Sequence, residues 1–436
     1  MVEDFEPLPR IDKIFYGMGR FGSTTLLTLI SLATFYLYKE IFELSDVLNG
    51  YANAIGKLAI MISSIVMGYL SDKTRHPRLG RRKPFIISGS ILLAISFSFL
   101  FFPNLFIDVK NQLMLFAYEA FWLAAFNFFY GYLLTPYQAW LPEITRPEER
   151  AEVSGYENLF NVLGNIVGTG GSFAIPIVAK NAPNILYNFV IIVSIIEIFF
   201  YIPSVIRIKE PKISLYQPKF LSELSIVIKD RNFINWIISR GIMSMGHTIM
   251  LTVLLGFLSE FLKLTDIKYL GTALFLMVLI MISFAVWVKL SRKKGMIKRL
   301  LIIGNILMIV ALFSIITLAP QYDLVLKQQI ALVYLTLGAF GLAAYWILNY
   351  VILANIIDAN AKVTGVSRAG TYTGFDGIVL NIFQASGYVI VGYIFALFGD
   401  YYGYVYWGPI SAVLILLGTI YFYLFVNPEP EVIYEQ

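Results

Sequence analysis

Cysteine is absent from the 436 residues, so no disulfide framework exists, and the redox compartment cannot be read from thiol usage. Histidine occurs only twice, and no metal-ligand cluster or Ser/His/Asp set is visible, which argues against an intramembrane enzyme. A Gly-rich phosphate loop ending in Lys-Ser/Thr is also missing, which excludes a primary pump of that type. No cofactor is implied. Charge is scarce as well: Asp, Glu, Lys and Arg make up 14% of the chain. A soluble domain of this length needs far more charge to cover its surface. The first thirteen residues are polar and acidic, with Pro7 and Pro9, and lack the basic, apolar and cleavage regions of a signal peptide.

What is present is apolar. Hydrophobic residues reach 58% and mean hydropathy is +0.73. They fall in blocks of about 20, the length that carries a helix across a ~30 Å hydrocarbon core. The ~10-residue alternating segments of a membrane β-barrel are not seen. The expectation is an all-α membrane protein with twelve transmembrane helices near 14–40, 47–71, 85–103, 112–140, 152–178, 185–207, 233–262, 269–290, 299–319, 329–355, 370–398 and 405–426. Of the 33 Lys and Arg, 24 fall on the side of the N-terminus, six on the other side, and Arg20, Lys57 and Arg240 inside spans. That bias places both termini in the cytoplasm. It also explains the formal charge of +5 without nucleic acid as a partner.

The longest polar connection, 208–231, separates an N-terminal bundle of six helices (1–207) from a C-terminal one (232–436). Two self-similarities suggest duplication. Gly22-Ser-Thr24-Thr-Leu-Leu-Thr28 resembles Gly246-His-Thr248-Ile-Met-Leu-Thr252, and the basic connection after Gly68 resembles 289–295. Such halves with a midplane site are a transporter architecture.

Gly68-Tyr-Leu-Ser-Asp72-Lys-Thr-Arg75, followed by Gly80-Arg81-Arg82-Lys83-Pro84-Phe85, resembles the loop signature of the major facilitator superfamily. Asp72 ends a helix where the dipole disfavours an anion, so it needs a partner: the nearby arginines or a helix N-terminus from the other half. Such a contact would form a cytoplasmic gate. An ordinary basic inner loop is the plainer reading of the same residues. Pro136-Tyr137-Gln138-Ala139-Trp140-Leu141-Pro142-Glu143, Leu163-Gly164-Asn165-Ile166-Val167-Gly168 and Tyr16-Gly17-Met18-Gly19-Arg20-Phe21-Gly22 narrow the resemblance to the glycoside–pentoside–hexuronide:cation symporters and their sucrose-transporter relatives. The resemblance implies the major facilitator fold, a monomer in the inner membrane, and alternating-access transport of a sugar, glycoside or similar polar solute. The carboxylates of the family's cation site are replaced: the matching positions read Thr24, Ile60, Ser64 and Leu134. The family's helix V arginine aligns with Asn158, and its helix II arginine with Lys57.

Ionisable groups inside a span are costly and usually face a cavity or a partner. The candidates for ion coupling are therefore Asp376, His247 and Glu119, with H⁺ preferred over Na⁺ because the recognisable cation cage is missing. The candidates for solute binding are Thr24, Thr28, Lys57, Asn158, Arg240, Thr248 and Asn381. Interhelical hydrogen bonding is the commoner fate of such hydroxyls and amides. Arg20 and Glu157 read as snorkelling or structurally paired residues, and Glu197 remains unassigned. An uncoupled facilitator, a carrier of a non-sugar solute and a non-transporting sensor on the same scaffold are the competing readings.

Overall fold

The computed structural model describes residues 7–429 apart from 75, 147, 211–226, 294, 320–321 and 366–367. The connection expected at 208–231 therefore lies largely outside the described residues. The chain divides into two compact units, Met1–Tyr216 and Gln217–Gln436.

Unit one contains α1 (Arg10–Tyr36), α2 (Asp46–Lys73), α3 (Lys83–Leu100), α4 (Gln112–Ile144), α5 (Arg150–Asn181) and α6 (Pro183–Arg207). Unit two contains α7 (Arg231–Gly256), α8 (Asp266–Ser291), α9 (Ile297–Ser314), α10 (Leu324–Thr364) and α11 (Ala369–Phe425). Helices suit this composition because a backbone in hydrocarbon must satisfy its own N–H and C=O groups. Among the described residues, eleven helices are long and apolar enough to cross a membrane. The last is broken at Gly399, whose φ of 70° and ψ of 173° are not helical, so it supplies two arms and a twelfth span. The sequence reading placed a connection of several residues there, whereas a single glycine suffices. It also ended the tenth helix near 355. The structure carries α10 to Thr364, where Gly365 caps it in the left-handed conformation.

Each unit packs by the same plan. In unit one α1 lies against α5 and α6, α2 against α4, and α3 against α4 and α6. In unit two α7 lies against both arms of α11, α8 against α10, and α9 against α10 and the second arm. The first helix of each unit also ends alike. A π turn (Leu37–Ile41 and Phe257–Phe261) is followed by one left-handed non-glycine residue, Glu43 at φ 57° and Lys263 at φ 49°.

These caps correct the register of the repeat. Glu43 and Lys263 are 220 positions apart, whereas the Gly22/Gly246 sequence match assumes 224. Close glycine contacts agree with the caps: a Cβ on Gly168 of α5 would lie 2.7 Å from Thr28 Cβ, and one on Gly387 of α11 would lie 3.0 Å from Thr248 Cβ. Thr28 is thus the counterpart of Thr248. The sequence match is one turn out, because small and hydroxyl residues recur every fourth position on both helices.

Candidate functional site

In unit one a polar ladder joins α1 to α5. Arg20, Thr24 and Thr28 are one turn apart on α1, opposite Glu157, Asn161 and Asn165 on α5. Arg20 Nε lies 3.5 Å from Glu157 Oε1, and Arg20 Nη2 lies 3.5 Å from Asn161 Oδ1. Thr24 Oγ1 donates to Asn161 Oδ1 at 2.6 Å, and Thr28 Oγ1 lies 2.9 Å from Asn165 Oδ1. Gly164 and Gly168 let the helices meet closely enough for these short side chains to touch. Asn158 is exposed and forms no rung.

In unit two Arg240 of α7 pairs with Asp376 of α11, both buried. Tyr345 of α10 stacks on His247 with centroids 3.6 Å apart. His247 Nδ1 lies 2.7 Å from Met243 O. A carbonyl only accepts, so Nδ1 carries hydrogen there and Nε2 is left buried without a partner. Arg240 Nε also has none. Asn381 Nδ2 donates to Gly377 O, one turn back on its own helix, and Thr248 O accepts from Thr252 Oγ1. Asn381 therefore spends its amide within its own helix, whereas the Thr252 bond uses only the Thr248 carbonyl and not its hydroxyl.

The two units hold the same device. Arg20 and Arg240 are 220 positions apart, and Glu157 and Asp376 are each the eighth residue of their helices. Sequence reasoning found the members and missed the duplication, because the register it used was one turn out. It also missed Tyr345, one among many aromatic residues.

Other candidates stand apart. Glu119 is fully buried on α4, with Oε1 3.1 Å from Asn53 Nδ2 and Oε2 without a partner. Lys57, half-buried on α2, has no ion pair or hydrogen bond among the described residues. No group of three His, Cys, Asp or Glu among the described residues fits a metal ion.

At the basic end of unit one, Asp72 Oδ1 meets Arg82 Nη2 at 2.6 Å, so the anion at the end of α2 has its partner within the same loop. Arg82 also donates to Ser71 Oγ at 2.6 Å, and both Arg81 and Arg82 bind Glu143. Gly68 is near Thr135, with a Cβ there reaching 3.7 Å from its Cγ2. Arg75 lies outside the described residues. Gly80, at φ +80°, turns the chain against the Glu210 carboxylate, which accepts from Arg82 N at 2.7 Å. Burial pushes the Glu210 carboxyl above its ordinary value, against the pull of the backbone N–H groups of Arg82 and Arg81. In unit two Glu429 does the same work at the start of α9, accepting from Gly295 N at 2.9 Å and Ile297 N at 3.3 Å.

Comparison with known proteins agrees with this architecture. A D-xylose–proton symporter superposes with a TM-score of 0.67 over 96% of this chain and 97% of its own, at 13% identity. A bacterial homolog of the human lysosomal transporter Spinster gives 0.67 over 95% of both chains, also at 13%. The nucleoside transporter NupG gives 0.64 over 94% of this chain and 99% of its own, at 13%. Among curated proteins, an uncharacterized symporter of Synechocystis sp. is 30% identical over 165 residues, 37% of this chain and 30% of that protein. A candidate 2,3-dihydroxypropane-1-sulfonate exporter of Escherichia coli (strain K12) is 29% identical over 170 residues, 38% of this chain and 35% of that one. The aligned stretch thus spans about a third of each curated relative. The family described as MFS/sugar transport protein matches residues 15–422. The chain is a multi-pass membrane protein with the major facilitator fold, and it belongs to the MFS/sugar transport protein family.

Proposed function

We propose that the protein is a secondary transporter that moves a sugar, glycoside or similar small polar solute across the cytoplasmic membrane by alternating access, driven by H⁺. The reading rests above all on two Arg–carboxylate pairs inside hydrophobic spans, Arg240–Asp376, which is buried, and Arg20–Glu157, which is partly buried. Charged groups at such depth are expensive unless they serve a pathway or a partner. Thr24 and Thr28 add hydroxyls that can exchange their Asn partners for those of a solute. Arg240, Thr248 and His247 supply the polar face in unit two. The excess of Lys and Arg on one side supports an orientation with both termini in the cytoplasm. Membership of the sugar-transport family and a symporter relative support solute and coupling.

A second reading concerns solute charge. Lys57 is an ammonium in mid-span with no partner among the described residues, and one relative is named for a sulfonate. A solute with a carboxylate or sulfonate beside its hydroxyls would satisfy that ammonium.

Uptake into proteoliposomes tests both. The panel is radiolabelled mono- and disaccharides, a hexuronide and dihydroxypropane sulfonate, under an imposed proton gradient and then a sodium gradient. Accumulation that follows the proton gradient and collapses with a protonophore is expected. Equilibration without accumulation would make the protein an uncoupled facilitator. No uptake by folded protein would overturn the sugar reading and favour the sensor.

A further inference from the structure

The third helix of each unit starts without a cap of its own. Arg82 precedes α3 and Met296 precedes α9, and neither side chain accepts a hydrogen bond from the helix start. The first N–H groups of a helix need acceptors and favour an anion. In both units a carboxylate returns from the segment that follows the sixth span. Glu210 accepts from Arg82 N at 2.7 Å, and Glu429 accepts from Gly295 N at 2.9 Å and Ile297 N at 3.3 Å. The receiving turns correspond. Gly80 and Gly295 are left-handed, at φ 80° and 72°, and each lies two residues before its receiving amide, Arg82 or Ile297.

The same segments are tied at a second point, to the start of the first helix. Arg207 Nε donates to Asp12 Oδ1 at 2.6 Å. At the positions 220 further on, Asn427 N donates to Asn232 Oδ1 and Asn232 Nδ2 donates to Asn427 O, each at 2.9 Å. An ion pair in one unit is thus a pair of amide bonds in the other, at the same place. Between tie and carboxylate each segment buries a residue, Ile208 and its counterpart Pro428. In unit two Lys298 Nζ also donates to Val426 O, and Asn355 Nδ2 to Pro428 O, both at 3.0 Å. The ion cluster of the basic loop is not duplicated. Arg292 stands 220 positions after Asp72, and Ile297 takes the place of Arg82. Unit two keeps the returning segment without the cluster, so the segment has a purpose of its own.

We infer that residues 207–210 and 426–429 are one duplicated strap, fastened to the first helix and holding the start of the third, and that in unit one it positions Arg82. Glu210 fixes the backbone of Arg82, whose side chain binds Asp72 and Glu143. Glu210 also stands at the beginning of the connection to unit two, so a shift of that connection reaches the gate arginine through one hydrogen bond. The part of the strap in transport rests on the alternating access proposed above. The strap itself is readable without any solute.

Amide hydrogen exchange of the full-length protein in liposomes tests it, because exchange is read at a distance from the substitution. Asn232 bonds to residue 427 and touches no amide of α9 among the described hydrogen bonds. Asn232→Ala is nonetheless expected to speed exchange of the 295–297 amides several-fold, and Glu429→Ala to do so directly. Asp12→Ala, which frees Arg207, should speed the Arg82 amide and leave 295–297 at the parent rate. Should Asn232→Ala fail to fold, Asn232→Asp keeps the bond from Asn427 N and gives the same readout at smaller size. Parent rates at 295–297 in Asn232→Ala, with Glu429→Ala speeding them, would show two independent contacts and overturn the strap. Faster exchange throughout both units would show general loosening and overturn it equally. Glu210→Ala is expected to slow uptake several-fold while solute binding is kept. Parent-like uptake with a loosened Arg82 amide would remove the positioning role. Local loosening in a protein whose parent takes up no sugar would leave the strap standing and remove the sugar reading.

Discussion

Gly22 shows how little freedom a single position has in this bundle. A methyl there would lie 2.2 Å from Glu197 Oε2 and 2.6 Å from Glu197 Cα, and the second atom belongs to backbone that cannot move aside. Gly22→Ala should therefore lower stability by about 1–3 kcal/mol, the usual cost of overpacking. Gly170→Ala in α5, where nothing lies within 4 Å, should be neutral or slightly stabilising. Thermal unfolding in detergent compares the two; equal melting temperatures would refute the close approach. Asp376→Asn leaves a buried guanidinium unpaired, which typically costs about 3–5 kcal/mol. It should lower both the melting temperature and uptake and change the pH profile of transport, while Asp376→Glu retains most of each. A variant with the parent's melting temperature and pH profile would remove Asp376 from the site. Burial candidates of this kind were legible in the sequence because an acid or base inside an apolar block stands out. Their partners were not, since helix periodicity says which residues share a face and not which faces meet.

Helices were legible for the same reason, with errors where chemistry and geometry part. Asp358 and Lys362 read as the exit of a span, yet α10 continues through them, because polar residues can end a hydrophobic run without ending a helix. Connections between elements carry their own chemistry. At the start of α1, Lys13 Nζ binds Glu149 at 2.8 Å and Glu152 at 2.7 Å, tying α1 to the start of α5. Burial alone would raise the Glu149 carboxyl, but the Lys13 hydrogen bond and charge outweigh it and hold the group below its ordinary value of 4.5. A depressed carboxyl contributes its stability in full above the unfolded value and loses it as pH falls through the folded one. Melting temperature should therefore decline as pH drops below about 4.5, and Glu149→Gln should flatten that limb. An identical acid limb in the variant would show that the tie contributes nothing.

At the scale of the molecule, the duplication is expressed in packing plan, helix caps and the Arg–carboxylate pair more clearly than in sequence. Short matches misled by one turn because Gly and Thr at four-residue spacing fit two registers equally well. The basic loop was the most legible feature, since Gly68, Asp72, Gly80, Arg81 and Arg82 form a recognisable set. Yet Glu143, from α4, and Glu210, from the segment that follows α6, complete its charge balance. If the loop acts as a gate, Asp72→Asn should slow uptake several-fold while solute binding to the detergent-solubilised protein is kept. Parent-like transport kinetics in that variant would sink the gate.

The left-handed residues that end the first helix of each unit act as fixed marks on the chain. Arg20 stands 23 positions before Glu43, and Arg240 stands 23 before Lys263. One residue inserted in either interval would swing its guanidinium by about 100° around the helix axis, off the fifth helix altogether. The spacing is thus the same ruler in both units. Any descendant that changes it on one side gives up that side's ion pair.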